Sequence, residues 1–244
     1  KNIESLLRRA KTIVNHQTEV SKLLGENFNV FSILGMEKAE NKTHSAFIQE
    51  LLNPKGSHQK GGIFLNLFLK QINYSKIAVF DIESAKTTVE YHISKRDDKN
   101  KTGGRVDILI SDKLKNTICI ENKIDAGDQE SQIERYVNYN KNKNTVYYLT
   151  KEGSSASEAS KGELVESEDY HCISYRETII NWLEQCMKES ADQPILRESI
   201  KQYIILVKKL TNQLTDSTMA SQIEELIIKN YKAAKVIQNN IKNA

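Results

Sequence analysis

Apolar residues recur three and four apart at the start of the chain, through Ile3, Leu6, Leu7, Ala10, Ile13 and Val14, which predicts a helix. The same period predicts a helix over 42–52, through Phe47, Ile48, Leu51 and Leu52, that Asn53-Pro54-Lys55-Gly56 stops. A third helix is expected over 62–72. The texture then changes: residues 87–93, 105–111, 116–124 and 145–150 alternate and are rich in β-branched and aromatic side chains, the mark of strands. Polar stretches at 94–104 and 112–116 read as the connections between the first three strands, and 128–140 returns to helical spacing. A Ser/Glu/Gly-rich loop over 151–169 leads to a short strand at 170–174. Helices over 177–188, 194–210 and 221–239 follow, with Pro194 at a first-turn position. This order predicts an α/β fold with a central mixed sheet of about four strands, flanked by helices and extended by helices at both ends. One domain is expected over 1–244, with a helical part over 1–75, a core over about 85–175 and a second helical part over 176–244.

Composition narrows the class. A chain of 244 residues with 27% charged residues can bury a core without disulfides or structural metal. No apolar run approaches the ~20 residues that span a bilayer, and the first residues lack the charged-then-apolar pattern of a signal peptide. The chain starts on Lys rather than Met, as expected of a piece of a longer one. Cys119, Cys172 and Cys186 are odd in number and share no ligand spacing, so a reducing cytoplasm is the expected compartment. A net charge of +3 does not by itself imply nucleic acid. The basic stretch over 95–105, with Lys95, Arg96, Lys99, Lys101 and Arg105, is a candidate for phosphate contact, and a solvated loop would read the same way.

Charges inside the apolar strands carry the chemistry. In Ile118-Cys119-Ile120-Glu121-Asn122-Lys123-Ile124, alternation puts Glu121 and Lys123 on one face and the isoleucines on the other. In the preceding strand Val106, Ile108 and Ile110 are expected on the apolar face and Asp107 opposite. A short turn between the strands brings Asp107 toward Glu121. Two carboxylates at one point of a sheet suit a hard divalent cation, which takes few carboxylates and fills its shell with water and phosphate. A lysine beside them suits attack of water on a phosphodiester. Glu-x-Lys on a strand is also the pattern of a plain surface ion pair.

Gly104-Arg105-Val106-Asp107-Ile108-Leu109-Ile110 followed by Ile120-Glu121-Asn122-Lys123-Ile124 resembles the D-Xn-(D/E)-X-K core of the PD-(D/E)XK nuclease superfamily. Gln132 and Tyr136 resemble the Q-xxx-Y motif of its RecB-like branch. Glu40-Asn41-Lys42-Thr43-His44-Ser45 and Leu51-Leu52-Asn53-Pro54 with His58 are similar to a bacterial and phage family whose members carry E-xx(x)-HS and LL-x-P. This chain holds one residue more than the commoner E-xx-HS spacing. The resemblance implies a restriction-endonuclease-like fold, hydrolysis of DNA, and Mg²⁺ as cofactor with Mn²⁺ able to substitute. It implies Asp107, Glu121, Glu40 and the backbone carbonyl of Asn122 as metal ligands, Lys123 as the catalytic lysine, and Gln132, Tyr136 and His44 around the site. On the residues alone Tyr136 reads equally as a half-buried core aromatic and His44 as a helix-capping or core histidine. Glu40 and Glu50 both stand as candidates for the third acid, and the family pattern selects Glu40. A binding module without activity, a nuclease acting on RNA, and a homodimer remain open on the sequence.

Overall fold

The alternating segments are extended and pair, in chain order, as one five-stranded sheet: β1 (Lys86–Asp97), β2 (Thr102–Ser111), β3 (Thr117–Asn122), β4 (Asn144–Thr150) and β5 (His171–Ser174). The computed structural model describes residues 2–213 and 217–241. Lys1 and 242–244, the outermost residues of the expected helical extensions, lie outside them. The β1–β2 and β2–β3 pairs are antiparallel, joined by tight turns, and the β3–β4 and β4–β5 pairs are parallel. A parallel pair needs a crossover. The expected mixed sheet is therefore present, with the short 170–174 strand as its fifth member.

The helices in chain order are α1 (Asn2–Leu23), α2 (Val30–Ile33), α3 (Ala46–Leu52), α4 (Ile63–Gln71), α5 (Gln132–Asn138), α6 (Glu158–Lys161), α7 (Ile180–Glu189), α8 (Pro194–Leu210), α9 (Ser217–Lys229) and α10 (Tyr231–Asn240). A π-helical turn, Glu40–Ser45, runs directly into α3, and a second, Tyr175–Ile179, runs into α7. Two units are compact in themselves. One spans Val30–Thr211, and the other joins the chain before Val30 to the chain after Thr211. In the second, α1 packs with α9 and α10, and Leu6 and Leu226 are its buried hydrophobics among the described residues. No described helix is long and apolar enough to cross a membrane.

Within Val30–Thr211 the sheet has an apolar layer on each side. Ile108, Ile110, Ile118, Ile120 and Leu149 pack in the larger core with Phe64, Phe68, Trp182 and Tyr203 of the helices. Leu109, Cys119, Val146 and Tyr148 pack in a smaller core with Ile133 and Tyr136 of α5. Both layers are fully closed over β3, whose six residues are all buried.

Three local expectations change. The stretch 94–104 is mostly strand, since β1 and β2 continue outward and leave only 98–101 as the turn. Its residues are polar because this outer ladder faces water and a cleft rather than a core. Gly103 makes the ladder possible: its φ is 74°, and a Cβ there would stand 2.1 Å from the Lys95 carbonyl oxygen. The 221–239 helix is two helices that break at Asn230. Val106 leaves the face of Ile108 and Ile110 and joins the layer of Tyr136. Its partner Tyr91 does likewise, while Val89, paired with Ile108, stays with the larger core. The alternation reverses between them at Glu90, whose φ is +53°, and opposite that reversal stands Asp107.

Candidate active site

The strands β2 and β3 stay paired as far as Ile108↔Ile120 and then part. Beyond that point Asp107 and Glu121 occupy the mouth of the gap. Asp107 spans it, its Oδ2 accepting the Asn122 backbone N–H at 2.8 Å. The cleft that opens there has a volume of about 480 Å³. Glu40, Asp107, Glu121, Asn122, Lys123 and Gln132 form one side of its lining. His92, Ser94 and Arg96 line it from β1, spaced by two so that one strand face presents all three, and Arg105 and Gln129 join them.

Glu121 is 2% exposed and Lys123 9%, so this is no surface ion pair. Glu121 Oε1 meets Lys123 Nζ at 2.9 Å and accepts from Gln132 Nε2 at 2.7 Å. The Tyr136 hydroxyl donates to the Arg105 carbonyl at 2.6 Å and accepts from Gln132 at 3.2 Å. Its proton is thus committed away from Glu121. Tyr136 itself belongs to the core behind Gln132 rather than to the cleft. Glu121 Oε2 is buried and has no hydrogen-bond partner among the described residues.

Electrostatics follow from that crowding. Burial lifts the Asp107 carboxyl to about 6, against the pull of the Asn122 N–H and Lys123. Burial, and then the charge on Asp107, holds Glu121 well above the usual carboxylate range, although Lys123 opposes this. Burial works against charge on Lys123, but Glu121 and Asp107 outweigh it and keep its pKa above the ordinary lysine value. Two buried carboxylates share one ammonium, and one carboxylate oxygen is unsatisfied. That imbalance fits a divalent cation, which would supply the missing positive charge. Among the described residues no three His, Cys, Asp or Glu side chains converge as a ligand cluster. Mg²⁺ needs no such cage, because it keeps waters and takes substrate phosphate.

Glu40 reaches the same cleft by another route. Its Oε1 accepts the backbone N–H groups of Ile124, Asp125 and Ala126 at 2.6, 2.9 and 3.0 Å, so it pins the chain that leaves β3. Glu50 is elsewhere: its carboxylate accepts the Ser57 N–H and lines a separate apolar groove with Phe47 and Leu196. His44 does not reach the cleft. It is fully buried, with Nδ1 at 2.9 Å from the Tyr203 hydroxyl and Nε2 at 2.8 Å from the Glu37 carbonyl. Both ring nitrogens are thus used inside the core, and none is left for phosphate. His58 braces the turn after α3 through the Asn53 carbonyl and the Lys60 N–H.

His92 was not singled out by sequence reasoning, although it lines the cleft. The signal was its two-residue spacing to Ser94 and Arg96, hidden because 94–104 read as a loop. The basic stretch is less free than its composition implies. Arg96 pairs with Asp98 at 2.7 Å and donates to Gln129, Lys101 pairs with Glu134, and Arg105 pairs with Glu90 at 2.8 Å. Lys95 and Lys99 make no ion pair among the described residues.

A family model described as the PD-(D/E)XK nuclease superfamily matches residues 28–205, nearly the span of the unit Val30–Thr211. No curated protein matches the chain, and no solved structure does.

Proposed function

The chain belongs to the PD-(D/E)XK nuclease superfamily, and from that premise we infer that it hydrolyses phosphodiester bonds within DNA strands, with Mg²⁺ as cofactor and Mn²⁺ able to replace it. Nucleases of this superfamily generally use divalent metal ions. The observation that carries the reading is the buried Asp107–Glu121 pair, with Glu121 Oε1 saturated by Lys123 and Gln132 and Oε2 left without a partner among the described residues.

Asp107, Glu121 and the Asn122 backbone carbonyl would hold the cation. When bound, it supplies positive charge to phosphate oxygens and acidity to a neighbouring water. The protein's own groups do the rest. Gln132 and Lys123 fix the Glu121 carboxylate by its Oε1. Lys123 spends one of its three donors there and keeps the others for the phosphate and the attacking water. Its raised pKa keeps it an ammonium at neutral pH, which suits stabilisation of charge developing on the phosphate rather than removal of a proton. Glu40 holds 124–126 against the cleft and stands as the third acid at its edge. His92, Ser94 and Arg96 offer donors to the backbone of a strand lying across the opening, contacts that position nucleic acid without reading its sequence.

Incubation with supercoiled plasmid, single-stranded DNA and RNA, each with Mg²⁺, Mn²⁺ or EDTA, tests this reading. Relaxation and linearisation of plasmid with either metal and none with EDTA is the expected outcome. Cleavage of RNA alone would move the substrate class. A folded protein inert on all three would leave only nucleic-acid binding.

A further inference from the structure

Strand alternation turns Asn122 away from its neighbours. Glu121 and Lys123 line the cleft, and the Asn122 side chain points to the opposite face, where the residue is 1% exposed. A carboxamide buried without partners is costly, and here each of its groups is satisfied. Nδ2 donates to Ser45 Oγ at 3.0 Å and stands 3.4 Å from the Glu40 carbonyl. Oδ1 accepts from the Tyr175 hydroxyl at 2.8 Å. The backbone N–H of the same residue is the one bonded to Asp107. One residue therefore joins the acid of β2, the turn that carries Glu40 and the turn that follows β5.

The Glu40 turn is built to reach it. The N–H groups of Thr43 and His44 both point to the Ala39 carbonyl, at 2.9 and 3.4 Å, and the turn is π-helical. A π turn takes up one more residue than an α turn. The extra residue of this chain's Glu40–His44 spacing is absorbed there, so Glu40 stays on the cleft while His44 and Ser45 enter the core. His44 locks the turn in a single tautomer: Nε2–H donates to the Glu37 carbonyl, so Nδ1 accepts from Tyr203.

We propose that the Asn122 carboxamide, held by Ser45 and Tyr175, is the positioning device of this site. It sets the end of β3, the Asp107 carboxylate and the Glu40 turn in the arrangement that takes up a divalent cation. Only the cation clause rests on the nuclease reading. Ser45 and Tyr175 touch neither substrate nor metal in this scheme, and act through Asn122.

Tyr175→Phe and Ser45→Ala each delete one of these bonds without adding charge. Trp182→Phe is the control, since it deletes a buried bond of the same core, Trp182 Nε1 to the Phe64 carbonyl at 2.9 Å, that does not involve Asn122. Two readouts apply to the full chain: hydrogen exchange at the Asn122 backbone N–H without metal, and Mn²⁺ affinity by calorimetry. Tyr175→Phe and Ser45→Ala are expected to speed exchange at Asn122 roughly tenfold relative to the other β3 amides. They are also expected to weaken Mn²⁺ binding on the order of tenfold, while Trp182→Phe does neither. Exchange at Asn122 that stays at the wild-type rate, or that quickens equally in all three variants, overturns the proposal. So does Mn²⁺ affinity unchanged in both Tyr175→Phe and Ser45→Ala when the wild type binds. Should the wild type take up no Mn²⁺ while exchange responds as expected, the positioning device stands and the metal reading is the part that fails.

Discussion

A carboxylate buried beside another gives up its proton reluctantly, and this sets how Asp107 and Glu121 respond to pH. The folded Asp107 carboxyl titrates at about 6, against a usual 3.8. A raised carboxyl favours the fold while it is protonated, and that contribution is lost as pH rises through the folded value. At pH 8 the metal-free protein therefore bears the cost of ionised Asp107. Asp107→Asn keeps an oxygen for the Asn122 N–H and removes the charge, so it raises the metal-free Tm at pH 8. The rise is at least about 2–4 °C, what roughly 1 kcal/mol is worth in a chain of this size, and it fades at pH 4. The same variant loses the further stabilisation that saturating Mg²⁺ gives the wild type at pH 8. Thermal melts at both pH values check this, and a fall in Tm at pH 8 would mean that the Asp107 charge stabilises the fold. The third acid is decided in the same way. Glu50 bonds its own turn, so Glu50→Gln leaves Mn²⁺ affinity unchanged, whereas Glu40→Gln weakens it. Calorimetry reads both, and the reverse result would remove Glu40 from the site.

Among the elements, the outer β1–β2 hairpin shows where sequence patterning stops being informative. Its length was hidden because alternation identifies a strand only when one face is apolar, and here one face is a polar cleft. The reversal at Glu90 was equally invisible, since a positive φ on a glutamate leaves no compositional trace. The hairpin is tied to α5 by charge: Asp98 receives both Arg96 and the buried Arg135 at 2.7 Å, and Lys101 meets Glu134. If DNA is the substrate, Lys95 and Lys99 are the lysines of this hairpin expected to release counterions, because Lys101 is held by Glu134. Lys95→Gln with Lys99→Gln should weaken DNA binding uniformly across sequences. It should also reduce the slope of log K against log salt by about 0.9 for each duplex phosphate that is no longer neutralised. Lys101→Gln should lower Tm and change that slope less. A salt slope unaltered by the double variant would make both lysines solvated bystanders.

Across the whole molecule, the site was more legible than its surroundings. Asp107, Glu121 and Lys123 stood out because charges in apolar strands are costly, and the pattern of a matching family reinforced them. His44 stayed open between site and core because motif spacing says that a residue is needed and not which way it faces, and the π turn sends it into the core. At Asn122 the resemblance pointed only to the backbone carbonyl, and it is the two π turns packed around the side chain, through Ser45 and Tyr175, that give the carboxamide a role. The proposed activity stands or falls on whether the buried Asp107–Glu121–Lys123 group cuts phosphodiesters. Lys123→Gln keeps a hydrogen-bond donor, on a side chain one atom shorter, while it removes the charge, so its effect separates chemistry from folding. Plasmid cleavage at saturating Mg²⁺, compared between the wild type and this variant, both verified as folded by melting, is the most direct measurement. EDTA-sensitive cleavage by the wild type and a loss of about 10²-fold or more in the variant are expected. Equal rates in the two proteins would contradict that role for Lys123 and the group around it.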